Sequence, residues 1–448
     1  MSAMENISKG HSDAYVGFLR EYPQTGPGTL AGAMLRHYWH PVCLSQDLKD
    51  LPYPVRMLGE DLVAFRCTDG AIGLVGARCA HRCASLEYAY IKPQGLRCSY
   101  HGWTFDRRGR CVEMPLEPVE STLKGEVRHI WYPAEEWAGV IWCYMGENKD
   151  SPPPLPKIDI LARADGEVVV ERGDFRNYNY LNFVENFADM GHAMVLHLLV
   201  PGSVPEELKP YCDMSVSLDW HKMQHRNFET GFGMKSVLVH DTANPEVKYL
   251  NTWSIAMPGI YCRFGGIAAG LPPDFSNDRR ESGVLLRIID DTHFEIFRYT
   301  LIRPGNFRGT FTPRESDKAR GLAEGIRGTV EKKDYDHRKY PAWEGRPPVE
   351  DLVIQESQGA IPLRELELLG TSDNGVALLR RIWRKSIDNV AKGKPPKLAL
   401  VDQDGVIEVD TFKGFARIGE FELSPANMPS SRDGRGLIRD EQGRLVFS

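Results

Sequence analysis

The sequence lacks several features that would place it in a special class of protein. No apolar run approaches the roughly 18 residues of a membrane-spanning helix. No block of like charges, internal repeat or low-complexity tract is present either. We therefore expect no nucleic-acid partner, no membrane partner and no disordered or fibrous chain.

The remaining composition is that of a globular protein. The chain has 448 residues, of which 42% are hydrophobic and 26% are charged, and its formal charge is −6. At about 150 residues per domain, this length predicts two or three domains with ample core. Residues 1–15 are polar and carry no apolar signal segment, so we expect an unexported, cytoplasmic protein.

The cysteines do not suggest a disulfide framework. Their number, nine, is odd, and they are scattered along a chain without an export signal. Reduced thiols or metal ligands are therefore expected. Two of the nine, Cys79 and Cys98, fall in a metal-binding pattern described below. The other seven are predicted to be packing residues: Cys43, Cys67, Cys83, Cys111, Cys143, Cys212 and Cys262.

The pattern of apolar residues changes along the chain. Residues 1–40 form an N-terminal segment with two short predicted helices, and residues 41–150 show short β-branched and aromatic runs typical of a small antiparallel β domain. The Pro-rich stretch 151–156 marks a boundary. Residues 157–448 combine further strand-like runs with helices at 180–199, 350–357 and 374–389. This arrangement predicts an α+β fold with a broad antiparallel sheet.

The first candidate metal site combines two mixed Cys/His pairs. Cys79-Ala-His81 is followed by Cys98-Ser-Tyr-His101. Two thiolates on one iron and two imidazoles on the other are the ligands of a Rieske [2Fe–2S] cluster. A tetrahedral Cys2His2 zinc site uses the same atoms, but it normally places both cysteines at one end. Cys83 is predicted to be a small buried residue, because two cysteines already complete the set of thiolates.

The second candidate site lies in the run from Glu185 to His197. Glu185, Asp189 and His192 have spacings that place them near one stripe of a helix, whereas His197 can share a metal with His192 only if the helix bends or ends. Two imidazoles and one carboxylate form the facial triad of Fe(II) sites that activate oxygen.

The third ligand of this triad has two candidates. Asp189 is the local one, but it is equally placed to accept the second N–H of the His192 imidazole. Asp351, in the first turn of a later predicted helix, is the distal one. On residue type alone, capping of that helix is the better interpretation of Asp351.

Taken together, the two motifs resemble those of a known family. CAHR and CSYHGW followed by ENFADMGHAMVLH resemble the oxygenase component of the Rieske non-haem iron aromatic-ring hydroxylating oxygenases. The stretch DLVIQESQGAIPLRELELLGTSDNGVALLRR resembles the phthalate dioxygenase branch, which includes O-demethylases of the 5,5′-dehydrodivanillate type. The resemblance extends from about Glu21 to Lys392.

This resemblance implies a role for each residue and a fold for the chain. It implies a Rieske β domain and a helix-grip catalytic domain in a ring-shaped trimer, sometimes stacked into hexamers. Asp189 matches the acid that joins an iron imidazole to a Rieske histidine of the adjacent subunit. Asp351 matches the distal iron carboxylate, which reverses the preference for a helix cap. The other matching positions are the cluster ligands Cys79, His81, Cys98 and His101 and the iron imidazoles His192 and His197.

The resemblance also implies a reaction and its partners. A NAD(P)H-dependent reductase with flavin and a plant-type [2Fe–2S] centre, or a ferredoxin, would supply electrons. An aromatic carboxylate would then be hydroxylated with O2 on the ring or on a methoxy carbon, which collapses to a phenol and formaldehyde. Two departures are Cys83, where relatives commonly carry Gly, and the segment 303–345.

Two questions remain open at this point. A buried arginine could clamp a substrate carboxylate, and Arg226 and Arg263 are candidates, but an exposed or structural role is the better interpretation of each. The rival function is a non-catalytic Rieske electron carrier or ligand-binding protein. Such a carrier needs only the first metal motif, so the set His192, His197 and Asp351 counts against it.

Overall fold

The computed structural model describes most of the chain. The described residues are 12–164, 166–189, 191–192, 196, 224–241, 245–259, 261–266, 280–302, 346–401, 403–407, 409, 413–417, 437–439 and 445–447. His197, Cys212 and the segment 303–345 lie outside them. Among the described residues, no helix has both the length and the apolarity needed to cross a bilayer.

Two short capped helices begin the described chain. Helix α1 covers Asp13–Glu21, and Ser12 caps it by accepting a hydrogen bond from the backbone N–H of Tyr15. Helix α2 covers Leu30–Leu35, and the Thr29 hydroxyl accepts from the backbone N–H of Gly32. These are the two helices that the sequence predicts before residue 40.

The next part consists of small antiparallel sheets. β1, β10 and β9 form one sheet, β2 to β4 a second, and β5 to β8 a third. The short helix α3, Leu123–Glu126, contacts β8. The strands are β1 Trp39–Leu44, β2 Tyr53–Met57, β3 Glu60–Arg66, β4 Ile72–Gly76, β5 Tyr90–Lys92, β6 Gly95–Arg97, β7 Thr104–Phe105, β8 Cys111–Glu113, β9 Ala134–Trp137 and β10 Val140–Tyr144.

An eight-stranded antiparallel sheet dominates the second part. Its order is β12-β18-β17-β16-β15-β14-β13, and β20 also pairs with β15. Its strands are β12 Glu167–Arg176, β13 Gln224–Glu229, β14 Gly233–Asp241, β15 Val247–Ala256, β16 Tyr261–Gly266, β17 Arg280–Asp290, β18 His293–Ile302 and β20 Lys413–Arg417. Two small pairs complete the strands of the described residues: β11 Lys157–Ile158 with β19 Val406–Ile407, and β21 Leu437–Arg439 with β22 Leu445–Phe447.

Helices from the described residues accompany this sheet. They are α4 Tyr180–Ala188, α5 Arg346–Ser357 and α6 Asn374–Ala391. Helix α4 contacts β15 and α6, and α6 also contacts β13 and β14. Helices packed on an antiparallel sheet, together with the small β part, make the fold α+β, as the sequence predicts.

The two β parts share backbone and ionic contacts. The backbone N–H groups of Leu58 and Gly59 donate to the carbonyls of Ile288 and Ile289 on β17, at 3.1 and 2.9 Å. Arg172 on β12 donates to Asp47 at 2.6 Å and to the Tyr53 hydroxyl at 2.9 Å. The small sheets therefore have a defined position against the large one.

Two helix boundaries differ from the prediction, and both differences concern candidate site residues. Helix α4 ends at Ala188, and Asp189 has an extended backbone conformation (φ −91°, ψ 94°), so Asp189 and His192 do not continue the stripe that begins with Glu185. Helix α5 begins at Arg346 rather than near residue 350, so Asp351 lies in its second turn. The interpretation of Asp351 as an N-terminal cap is therefore wrong.

Candidate metal centres

The two Cys/His loops have the same backbone hydrogen bonds. The N–H groups of Cys79 and Cys98 donate to carbonyls five residues later, those of Ala84 and Trp103, at 2.9 and 2.8 Å. The carbonyls of the same two cysteines accept from residues four positions later, Cys83 at 2.9 Å and Gly102 at 3.0 Å. Both of these donors have positive φ, 57° and 75°. Two matching loops therefore present one cysteine and one histidine each.

The four predicted cluster ligands form two close pairs, one of thiols (Cys79 and Cys98) and one of imidazoles (His81 and His101). Cys79 and Cys98 are buried, whereas His81 is exposed and its ring centroid lies 4.6 Å from that of His101. The His81 ring stacks on Trp103 at 4.5 Å and 11°. A buried sulfur pair beneath a more accessible imidazole pair suits a cluster with two sulfur and two nitrogen ligands.

The acid–base properties of these groups fit metal ligands. Burial and the neighbouring Cys98 thiol raise the pKa of Cys79 to about 11, so this thiol is deprotonated readily only when a cation binds beside it. Partial desolvation, His81 and Arg82 lower the pKa of His101. The neutral imidazole, which is the form that binds metal, is thereby favoured.

The second site begins where α4 ends. Oδ1 of Asp189 accepts hydrogen bonds from the backbone N–H groups of Gly191 at 2.9 Å and His192 at 3.2 Å. This carboxylate therefore caps the helical turn that carries His192. His192 Nδ1 hydrogen-bonds to the main-chain carbonyl of Asp189, whereas the Asp189 carboxylate oxygen Oδ2 is 4.0 Å away. The sequence suggests that the Asp189 carboxylate accepts the imidazole N–H of His192. In the structure the main-chain carbonyl of Asp189 accepts it instead.

This hydrogen bond orients His192 toward Asp351. Because Nδ1 donates to a carbonyl, Nε2 carries the lone pair, and it lies 3.6 Å from Oδ1 of Asp351. Two atoms bound to one metal at about 2.1 Å and at right angles lie about 3 Å apart, so this pair fits adjacent ligands. Within the described part of the chain, no three His, Cys, Asp or Glu side chains surround one point, and the third predicted ligand, His197, lies outside it.

Two further polar residues lie on β13, and one of them is close to Asp189. His225 on β13 is within electrostatic range of Asp189, although burial is the larger influence and lowers the pKa of His225. Asn227 hydrogen-bonds to His225 at 3.1 Å and accepts from the Ser236 hydroxyl at 2.6 Å. The sequence carried no signal for either residue, because both lie on β13, more than thirty residues after Asp189.

Glu185 lies away from the metal pair. Its carboxylate accepts from Arg364 and Arg380, which are 1% and 3% exposed. Neither arginine was singled out from the sequence, because an arginine that will be buried in an ion pair looks like any surface arginine. Burial raises the pKa of Glu185, but the two guanidinium groups outweigh it, so its pKa is lowered overall.

The remaining candidates have different outcomes. Arg226 is exposed and donates to the main-chain carbonyl of His225, which supports its interpretation as an exposed strand arginine. The side chain of Arg263 is not among those that the structure describes. Cys83 is exposed, and the prediction that it is buried is wrong, because it occupies a tight turn at the tip of a metal loop. The cysteines found buried as predicted are Cys43, Cys67, Cys111, Cys143 and Cys262.

Comparisons with known proteins match one domain of the chain and most of its length. Residues 38–124 match the family model for the Rieske [2Fe-2S] domain. The chain is 32% identical over 403 residues to the tert-butanol monooxygenase / tert-amyl alcohol desaturase oxygenase subunit of Aquincola tertiaricarbonis, covering 86% of this chain and 80% of that protein. It is also 32% identical over 412 residues to the phenoxybenzoate dioxygenase subunit alpha of Ectopseudomonas oleovorans, covering 88% and 89%.

The length of these matches decides the family. The chain belongs to the Rieske non-haem iron oxygenases. It is the oxygenase component, an oxidoreductase with a [2Fe–2S] cluster and a mononuclear iron. Because both relatives match across both β parts of this Rieske oxygenase, the comparisons do not favour the electron-carrier alternative.

A solved structure supports the same architecture. Dicamba monooxygenase bound to 3,6-dichlorosalicylic acid superposes with a TM-score of 0.55 and 16% identity, covering 80% of this chain and 99% of that one. The likeness concerns the fold: an antiparallel Rieske domain followed by a catalytic domain of sheet and helices.

Proposed function

We propose that this Rieske oxygenase binds its mononuclear iron through His192, His197 and Asp351. The observation that carries the proposal is the 3.6 Å separation of His192 Nε2 and Asp351 Oδ1, with Nδ1 held by the Asp189 carbonyl. The cluster ligands in this proposal are Cys79, His81, Cys98 and His101.

Each residue has a distinct task in this proposal. When bound, the cluster supplies one-electron transfer and the iron supplies activation of O2. Trp103 fixes the plane of the His81 ring by stacking, and the Asp189 carbonyl fixes the tautomer of His192. The Asp351 carboxylate contributes negative charge, which favours a divalent cation over a neutral ligand at this position.

Asp189 has a second task in the proposal. In the described part of the chain, the hydrogen bonds to its carboxylate use Oδ1, which caps the His192 turn. Oδ2 can then accept a hydrogen bond from a Rieske histidine of another copy of the chain. This contact would connect the two metal sites across a subunit boundary, and it requires the ring-shaped trimer, alone or stacked into a hexamer.

The substrate class follows from the sequence motifs and from one relative. We infer an aromatic carboxylate, hydroxylated on the ring or on a methoxy carbon, because the downstream motif resembles the phthalate dioxygenase branch and a relative is named for phenoxybenzoate. The equally similar relative named for tert-butanol makes tertiary alcohols the second class to test. A NAD(P)H-dependent reductase or a ferredoxin in the cytoplasm would supply electrons.

Metal content tests the ligand assignment. The purified holoenzyme should contain three irons per chain, two of them in the cluster. Asp351→Ala and His192→Ala should each reduce the count to two while leaving the reduced Rieske electron paramagnetic resonance (EPR) signal unchanged. Three irons in Asp351→Ala would remove Asp351 from the ligand set.

A product screen tests the substrate class. The enzyme, supplied with a surrogate reductase, is given benzoates, phthalates, methoxylated aromatic acids and tertiary alcohols. Product mass reports oxygen incorporation, and formaldehyde is expected only where a methoxy carbon is attacked. Conversion confined to tertiary alcohols would contradict the aromatic carboxylate class.

A further inference from the structure

An ion cluster with two buried arginines lies one helical turn before Asp189. We call it the Glu185 cluster, and its members are Glu185, Arg364, Arg380 and Glu367. Glu185 Oε2 accepts from Arg364 at 3.2 Å, and Oε1 accepts from Arg380 at 2.7 Å. Arg380 also reaches Glu367 at 2.7 Å. With two acidic and two basic groups, the cluster has no net charge.

The surroundings make these contacts strong. Arg364 and Arg380 are almost completely buried, and Tyr22 and Trp383, both at 0% exposure, pack beside them. Charges removed from water are stable only when they are paired and hydrogen-bonded, so each member depends on the others. Arg364 additionally donates to the Asn182 side chain at 3.0 Å, a second contact with α4.

The cluster joins the two chain segments that carry the proposed ligands. Glu185 lies on the last turn of α4, which leads directly into Asp189 and His192. Arg364 follows α5, the helix of Asp351, and is separated from it by a short loop. The cluster therefore spans two segments that are far apart in sequence but must be held side by side at the metal.

Two hydrogen bonds join the start of α4 to the α5 segment. The Tyr178 hydroxyl donates to the Gln355 side chain at 2.6 Å, one helical turn beyond Asp351. The backbone N–H of Asn179 donates to the carbonyl of Ala360 at 2.7 Å. With these contacts, α4 is held against the α5 segment at its start and, through Glu185, near its end.

We propose that Glu185 is a positioning residue for the mononuclear iron, acting through Arg364 and Arg380 to set the distance between His192 and Asp351. The inference rests on the proposed ligand set. Outer residues that orient metal ligands typically change metal affinity by about 10–100-fold when they are replaced. Loosening the Glu185 cluster should therefore weaken iron binding without touching a ligand.

A charge-balanced double variant tests this role. Glu185→Gln alone would leave a net positive charge buried and could prevent folding. Glu185→Gln combined with Arg380→Met removes one charge of each sign, so the cluster stays neutral. The ion pair with Arg380 is lost, and Arg364 contacts an amide instead of a carboxylate. Arg364→Lys, which keeps the charge but loses the forked contact, is the conservative partner and should show a smaller effect.

A matched ion pair in the eight-stranded sheet provides the control. Arg287 and Glu295 form a 2.7 Å ion pair between β17 and β18, with side chains 10% and 6% exposed. Arg287→Met combined with Glu295→Gln also removes one buried charge of each sign, but neither residue lies on α4 or α5. Both double variants should lower the thermal unfolding midpoint.

Iron affinity distinguishes the two double variants. Retention of Fe(II) is measured against a competing chelator, and the EPR signal of the nitric oxide adduct of the mononuclear Fe(II) is compared with the Rieske signal of the same sample. The Glu185/Arg380 variant should release iron at a chelator concentration about tenfold lower than wild type and show an altered nitrosyl signal. The Arg287/Glu295 variant should match wild type in both.

Two outcomes would overturn the inference. One is wild-type iron retention and an unchanged nitrosyl signal in the Glu185/Arg380 variant; the other is equal loss of iron in both double variants, which would indicate general destabilisation. Failure of the ligand assignment is recognised separately, because Asp351→Ala would then keep its mononuclear iron.

Discussion

Cys83 and Gly102 occupy equivalent positions in the two cluster loops. Each has positive φ, and each donates its backbone N–H to the carbonyl of the ligand cysteine four residues earlier. Glycine adopts this conformation without steric cost, whereas another residue is strained by about 1–2 kcal/mol. The first loop therefore carries a strain that the second loop avoids.

We predict opposite effects of substitution at these two positions. Cys83→Gly relieves the strained backbone and should leave stability unchanged or raise it by up to about 1 kcal/mol. Gly102→Ala should destabilise by about 2 kcal/mol or more, because a Cβ there would lie 2.7 Å from Pro115 Cγ in addition to the strain. Loss of the Rieske visible absorption during heating measures both, and equal midpoints for the two variants would contradict the prediction.

Asp189→Asn separates the charge of Asp189 from its role as a cap. The amide oxygen can still accept from the Gly191 and His192 backbone N–H groups, so both metal contents and the thermal midpoint should stay near those of wild type. Turnover should nevertheless be lost, because the charged acceptor for the neighbouring subunit is gone. Asp189→Ala should lose turnover and about 1 kcal/mol of stability as well. Full activity in Asp189→Asn would exclude a need for the charge.

Gly375→Ala should disturb the second metal site by displacing the end of α4. A Cβ at Gly375, in the first turn of α6, would lie 2.1 Å from the carbonyl oxygen of Ala188, the residue before Asp189. We expect a loss of about 1–3 kcal/mol and reduced mononuclear iron. Gly17→Ala in α1 is the control, since nothing lies within 4 Å of its Cβ and helix propensity should raise stability slightly. Wild-type iron content in Gly375→Ala would refute the expectation.

His40 predicts a pH dependence of stability. Burial lowers the pKa of this histidine to about 4, and Nε2 lies 2.9 Å from the Leu35 carbonyl as its hydrogen-bond partner. Because the pKa in the folded state is below that of the unfolded chain, about 6.5, the contribution to stability is complete above pH 6.5 and is lost as the pH falls toward 4. Between pH 7.5 and pH 5 the loss is about 2 kcal/mol.

Denaturant unfolding at these two pH values measures the effect. His40→Gln keeps a side-chain donor but does not titrate, so its stability should change less between pH 7.5 and pH 5 than that of wild type. An equal pH dependence in both proteins would show that other groups cause it.

Much of the site could be predicted because its chemistry is local. Cys79 with His81 and Cys98 with His101 are each contained in a single loop, so their spacing alone indicates the cluster. The burial of Cys143 was also predictable, because its neighbours in the sequence are apolar and form a strand-like run. Cys83 was not, since its exposure depends on where the loop tip points.

The amino-acid sequence by itself determined the family and the α+β class and predicted the ligand types, because those depend on residue identity and short-range spacing. The tertiary structure alone decided that α4 stops before Asp189, that the Asp189 carbonyl rather than its carboxylate holds His192, and that Glu185 pairs with two buried arginines. These features depend on packing between segments far apart in the chain. Their physical cause is the requirement that buried charges and backbone groups find partners, which no short-range pattern records.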